Sequence, residues 1–311
     1  MISSSINKFS LAILSTIFLV SCNTKESFVQ SAPNNDSQNV IKQSSVGTPS
    51  LPKPDHVVIV MLENHAATNI VGATTAPYLN SLTKTGALFV QSYGLTHPSQ
   101  PNYLLLFSGS NQGVTDDNVP INLPFTVPNL GASLIKKGLT FTGYSESLPS
   151  VGFDGPTSHS YARKHSPWIN WQGSGNNGIS PNFNQPFSSF PKDYNKLPNV
   201  SFVIPNLADD MHDGTISASD TWVKNNLDSY IQWANKNNSL LIITFDEDDK
   251  SHNNQITTVF TGQMVKQGNY NEKITHYNIL RTLEDIYGLP YAGMSSNNTP
   301  ITDCWTTSLT R

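Results

Sequence analysis

From residue 54 onward the chain alternates between short apolar runs and longer segments with one apolar face. His56-Val57-Val58-Ile59-Val60-Met61-Leu62 is continuous and rich in β-branched residues, as expected of a strand covered on both faces. It stops at Glu63-Asn64. Residues 77–85 read as a helix closed by Gly86, 87–95 as a strand, 129–137 as a helix stopped by Gly138, and 139–144 as a strand. Further strands are expected at 200–204, 240–245 and 256–261. Between them, residues 220–234 place Trp222, Val223, Leu227, Tyr230, Ile231 and Ala234 on one broad helical face. Residues 276–287 form a last helix, with Ile279, Leu280, Leu283 and Ile286 inward and Gly288 at its end. Residues 146–198 carry no clear period. So long an irregular stretch within a domain points to functional loops or to hidden elements.

Alternation of this kind predicts an α/β fold of three layers, α/β/α, around a mostly parallel central sheet. There is no internal repeat and no linker inside 54–311, so this span reads as one domain. The preceding residues are different. Lys8 leads into the apolar run 11–20, which is far shorter than the ~20 residues of a membrane span and fits a secretory signal. Small residues before Cys22 resemble a bacterial lipoprotein cleavage box. The expectations are a signal peptide over 1–21, lipid on Cys22, export to the cell envelope and membrane attachment through that lipid. Residues 22–53, rich in Ser, Asn, Gln and Pro, read as a flexible tether. With Cys22 lipidated, Cys304 has no disulfide partner.

Charge adds mainly exclusions. Charged residues make up 13% of the chain, against roughly 25% in an average soluble domain. The net charge is -4, and no basic run suggests nucleic acid.

The chemistry collects where apolar strands end. In open α/β sheets, ligands bind beyond the carboxyl ends of the strands. The first strand delivers Glu63 and Asn64. The second leads to His97-Pro98-Ser99-Gln100-Pro101-Asn102-Tyr103, where Pro101 suits a first helical turn and Ser99 stands just ahead of it. A serine there is most often an N-cap, but its hydroxyl also faces free backbone N–H groups that hold anions well. The strand at Val200 leads to Asp209, Asp210 and His212, and that at Leu240 to Asp246 and Glu247. Glu63, Asp246 and Glu247, with the Asn64 amide oxygen, are hard ligands for a divalent cation, and a cation beside Ser99 would favour its alkoxide. His212 is a candidate acid for a leaving oxygen. His165, in Tyr161-Ala-Arg163-Lys164-His165, brings three cationic or donor groups to an irregular loop, which suits an anionic substrate.

These residues resemble the bacterial phosphoesterase family of acid phosphatases and phospholipase C-like enzymes, within the alkaline-phosphatase-like superfamily. The anchors are Met61 to His65, His97 to Tyr103, Arg163 to Pro167, Asn206 to His212, Thr244 to Asp248 and His276 to Thr282. The resemblance implies Glu63, Asn64, Asp246 and Glu247 as metal ligands, with Ser99 as both ligand and nucleophile, forming a phosphoserine. Asn102 would hold the phosphate, and His165 and His212 would touch the phosphoryl group or the leaving oxygen. His276 matches a position that often binds a second metal, but Asp246-Glu247 stands where an Asp-x-His pair would complete that site, so one metal is expected. The span 54–311 leaves no room for the extra C-terminal domains of larger relatives, which favours hydrolysis of small phosphate monoesters. The alternatives are a phosphodiesterase or phospholipase C-type hydrolase, and a non-catalytic lipoprotein that binds a metal or an anion. A sulfatase is not favoured, because the Cys/Ser-x-Pro-x-Arg motif is incomplete at Ser99-Gln100-Pro101-Asn102-Tyr103.

Overall fold

The computed structural model describes residues 51–306. The signal segment over 1–21, Cys22 and most of the tether lie outside the described residues. The expected strand–helix alternation is present, as an eight-stranded sheet with helices on both faces.

The strands are β1 (His56–Leu62), β2 (Ala87–Tyr93), β3 (Phe141–Ser145), β4 (Asn184–Pro186), β5 (Val200–Ile204), β6 (Ser239–Phe245), β7 (Gln255–Gly262) and β8 (Gly268–Thr275). Their spatial order is β8-β2-β7-β6-β1-β5-β3-β4. Only β7 runs against its neighbours, antiparallel to both β2 and β6. The main helices are α1 (Pro77–Thr85), α2 (Ser99–Ser108), α3 (Leu130–Lys136), α4 (Ile216–Ala234) and α5 (His276–Tyr287).

Period-two alternation along β1 divides the core. Val57, Ile59 and Met61 pack on the side that holds α2, α3 and α5, with Leu104, Leu106, Leu134, Ile279 and Leu283. Val58, Val60 and Leu62 pack on the other side, against Leu79 and Leu82 of α1 and Trp222, Val223 and Leu227 of α4. This explains why β1 reads as unbroken apolar sequence: both of its faces are covered.

Two elements escape the sequence pattern. β8 alternates Asn269, Asn271 and Lys273 with partly covered residues at the sheet edge, so its apolar signal is weak. The irregular stretch 146–198 supplies β4, at the other edge, and several 3₁₀ turns. One of these, Pro167–Trp171, buries Trp168 and Trp171 completely. Trp168 lies directly over Gly143 of β3, where an added Cβ would come within 2.1 Å of the indole ring. The glycine in this strand is therefore a requirement of packing. Gly143→Ala should cost about 1–3 kcal/mol through overpacking, read as a lower thermal midpoint. An unchanged midpoint would show that the indole can move aside.

Candidate active site

β1 and β6 are paired in parallel register, Leu62 opposite Phe245. The next residues, Glu63 and Asp246, therefore emerge side by side at the carboxyl edge. Backbone bonds fix this edge: Asp246 N–H donates to the Leu62 carbonyl at 3.1 Å, and Glu63 N–H donates to the Asp210 carbonyl at 2.8 Å. Asn64 has φ of 49°, a conformation that asparagine tolerates. In it, its N–H donates to Asp246 Oδ1 at 3.1 Å.

Ser99 is the first residue of α2 rather than the residue ahead of it; the N-cap is Pro98, which offers no capping side chain, and the Gln100 N–H is taken by Asp117 Oδ1 at 3.0 Å. The N-cap role is thereby ruled out. The Ser99 Oγ is instead 2.9 Å from Glu63 Oε2, 3.2 Å from Asn64 Oδ1 and 3.4 Å from Glu247 Oε1. One hydroxyl proton serves one of these acceptors, so the others meet it lone pair to lone pair.

Glu63, Asp246, Glu247 and Asp210 are all buried. Burial first, then the charges of Asp246 and Asp210, push the Glu63 carboxyl well above the usual carboxylate range. Burial lifts Asp210 and Asp246 to about 7. Glu247 rises to about 8, through burial and then the charge of Asp246. Several buried polar atoms here make no hydrogen bond: Asp246 Oδ2, Asp210 Oδ2 and His165 Nε2. Such groups cost roughly 1–3 kcal/mol each when unsatisfied. Mutually repelling carboxylates, an amide oxygen and orphaned donor atoms are the chemistry that a divalent cation satisfies. A group formed by Glu63, His165 and Asp210 brings its ligand atoms within 4.8 Å of one another, and Glu63 belongs both to it and to the set around Ser99.

Three expected roles change. Asn102 is fully buried and staples the turn before α2, with its Nδ2 also 3.4 Å from Glu247 Oε2. Its Oδ1 accepts from the N–H groups of Leu95 (3.0 Å) and Thr96 (3.2 Å), and its Nδ2 donates to the Thr96 carbonyl at 2.8 Å. His165 is 1% exposed and stacks on Tyr103, which itself donates to Glu63. Its ring nitrogens lie 3.3 Å from Glu63 Oε1 and 3.1 Å from Asp210 Oδ2. Burial first, aided by the Lys164 charge, holds its pKa well below the ordinary value. It is a neutral imidazole behind the carboxylates, out of reach of a substrate. His212 does line the cleft of about 320 Å³ that opens over Ser99, Asn64 and Glu247. However, its Nε2 lies 3.1 Å from Lys164 Nζ, which can only donate, and its Nδ1 is 2.7 Å from Asp213 Oδ1. The ring therefore accepts at Nε2 and donates at Nδ1, which leaves no acidic proton facing the cleft. Met211, between Asp210 and His212, has φ of 86°, strain of the kind that collects at functional sites. His276 is buried with Nε2 at 2.8 Å from the Asp246 carbonyl, bracing that edge of the sheet.

Residues the sequence left unassigned complete the site. His97 Nδ1 lies 2.8 Å from Glu247 Oε2. Asp117 accepts from the Gln100 N–H at 3.0 Å and from Lys164 Nζ at 2.9 Å. Burial acts against the Lys164 ammonium, but the Asp117 hydrogen bond and charge hold its pKa above the ordinary value. Lys164 is one of the three cationic or donor groups that the sequence places beside an anionic substrate. Asp117 sits among Asn, Gly and Pro residues and gave no such signal.

Comparison with known proteins agrees with this geometry. Residues 72–290 match the phosphoesterase family. The chain is 48% identical over 267 residues to a phosphatidylinositol-3-phosphatase of Mycobacterium tuberculosis, covering 85% of this chain and 87% of that protein. It is 29% identical to a phosphate-repressible acid phosphatase of Penicillium chrysogenum, over 77% of this chain but only 60% of that longer protein. Its fold is similar to that of an alkaline phosphatase superfamily protein of Vibrio parahaemolyticus, with a TM-score of 0.53 at 15% identity, over 78% of this chain and 68% of that one. The chain belongs to the phosphoesterase family and is a hydrolase of phosphate esters.

Proposed function

We propose that this protein is a metal-dependent phosphatase that hydrolyses phosphate monoesters through a phosphoserine on Ser99. The observation that carries the proposal is the Ser99 hydroxyl, on the first residue of a helix and ringed by Glu63, Asn64 and Glu247. A divalent cation held by Glu63, Asn64, Asp246 and Glu247 supplies positive charge that favours the alkoxide form of Ser99. The hydroxyl proton is already directed at Glu63 Oε2. Ser99 Oγ attacks phosphorus, the bond from phosphorus to the ester oxygen breaks, and that oxygen takes a proton from water. The positive end of the α2 dipole favours the charge on the phosphoryl oxygens. A water then attacks the phosphoserine and releases inorganic phosphate. The relative named as a phosphatidylinositol-3-phosphatase is itself a monoesterase, which supports this choice and adds a phosphorylated lipid headgroup to the candidate substrates.

The Cys22 region of the sequence supports export and lipid attachment as part of the same reading. Expression in a bacterial host with labelled palmitate tests it: Cys22→Ala should lose the label, and a labelled variant would remove the anchor.

Ser99→Ala should lower turnover of an aryl phosphate about a thousandfold or more and remove the acid-stable phosphoserine trapped from labelled substrate, while the protein stays folded. Turnover near wild type would sink the nucleophile assignment. A panel of an aryl monoester, an aryl diester and phosphatidylinositol 3-phosphate separates monoesterase from diesterase; preference for the diester would overturn the monoester reading.

The raised carboxyl pKa values set a sign for pH dependence. Without metal, Asp210, Asp246 and Glu247 hold protons when folded that they lose in the unfolded chain between the ordinary carboxylate range and about 7 to 8. Stability is then fully present below that window and is lost as pH rises through it. The metal-free protein should melt progressively lower from about pH 4.5 to about pH 8, and a divalent metal should raise the midpoint more at the upper end than at the lower. A midpoint indifferent to metal at about pH 8 would count against a cation in this cluster.

A further inference from the structure

The cleft is acidic, yet its substrate is an anion. Phosphoryl oxygens need a positive group held in a fixed place. His212 does not provide one, because its Nε2 accepts the Lys164 ammonium. Lys250 lines the cleft but is exposed, whereas Lys164 lies against two lining residues, Asp117 and His212. Its Nζ is held from two sides, 2.9 Å from Asp117 Oδ2 and 3.1 Å from His212 Nε2, with the His212 ring held in turn by Asp213. The side chain is mostly covered, at 17% exposure, so the ammonium is fixed rather than swept through solvent.

Asp117 ties this cation to the nucleophile. Its second oxygen accepts the N–H of Gln100, the residue next to Ser99, at 3.0 Å. One carboxylate thus spans the helix N-terminus beside the attacking hydroxyl and the Lys164 ammonium. The loop that carries it is anchored by the buried Gln100 side chain, whose Nε2 donates to the carbonyls of Asp116 and Asn118 at 2.9 Å and 2.7 Å. A compact ammonium on a fixed strut beside a helix N-terminus is an arrangement for gripping a tetrahedral anion.

We propose that Lys164 is the residue that binds the non-bridging oxygens of the phosphoryl group, with Asp117 and His212 as the positioning residues that aim it. This rests on the phosphatase reading above and assigns the anion contact within it. The ammonium also discriminates among substrates: it favours a terminal phosphoryl group with free anionic oxygens over a diester, which presents fewer of them.

The test is equilibrium binding of inorganic phosphate to the full chain with its activating divalent metal, alongside steady-state kinetics on an aryl phosphate. Lys164→Met should weaken phosphate binding at least tenfold and raise KM, with the thermal midpoint near wild type, and Lys164→Arg should recover part of the loss. His212→Ala should weaken phosphate binding less than Lys164→Met does. A larger effect at His212 would return the contact to the imidazole and overturn the assignment. The double variant Lys164→Met with Asp117→Asn distinguishes ligand from counter-charge. It should bind phosphate as poorly as Lys164→Met alone, and recovery would show that Lys164 only neutralises Asp117. Lys164→Met that binds phosphate as wild type does also overturns the proposal while leaving Ser99 in place. Wild-type protein that binds no phosphate and turns over no ester would bring down the phosphatase reading itself.

Discussion

Parallel pairing of β1 with β6 puts two acidic residues where neither would be stable alone. Leu62 lies opposite Phe245, so Glu63 and Asp246 leave the sheet together, both buried. Charged carboxylates so placed repel each other in a medium that screens them poorly. The surrounding structure is arranged about that conflict. Tyr103 donates to Glu63, Asn64 N–H donates to Asp246, and His165 lies between Glu63 and Asp210. None of these neutralises the cluster, and its carboxyl pKa values stay high. An unresolved electrostatic cost of this kind is what a binding site for a cation looks like from the protein side.

The Ser99 hydroxyl belongs to the same arrangement. α2 begins at Ser99, with Pro98 as its N-cap and the Asp117 carboxylate on the Gln100 N–H. The turn that sets this register is held by Asn102, which satisfies two N–H groups and a carbonyl in the segment leading to the helix. Asn102 acts on the nucleophile by fixing where the helix starts. The amide expected to grip phosphate instead determines that Ser99 faces Glu63 and Glu247.

How far the sequence revealed this differs by element. β1, β5 and β6 were legible because strands covered on both faces must be apolar throughout, and the residues that follow such strands stand at one edge. That logic reached Glu63, Asn64, Ser99, Asp246 and Glu247, which the structure brings together. It did not reach Asp117 or the orientation of His212, since neither follows from strand ends. Asp117 reaches the cleft through a loop whose position depends on the buried Gln100 amide, a contact with no periodic signature. β8 was missed because an edge strand keeps polar residues on its open side. His165 was misplaced because an imidazole next to Arg163 and Lys164 suggests an anion site, whereas its ring is driven inward by stacking on Tyr103.

The neighbours Lys164 and His165 show how one short 3₁₀ turn divides two tasks. Consecutive residues at Arg163–His165 project in different directions. His165 goes under the carboxylates and meets Glu63 and Asp210, where a neutral imidazole adds a donor atom without adding charge. Lys164 reaches Asp117 and His212, two residues of the cleft lining, and its charge persists because an acidic partner outweighs its burial. Were the two exchanged, a buried ammonium would compete with a cation for the carboxylates, and an imidazole would face the substrate without a fixed charge. The order of this dipeptide therefore keeps the positive charge for the substrate apart from the negative charge for the metal, within a site where both must lie close to Ser99.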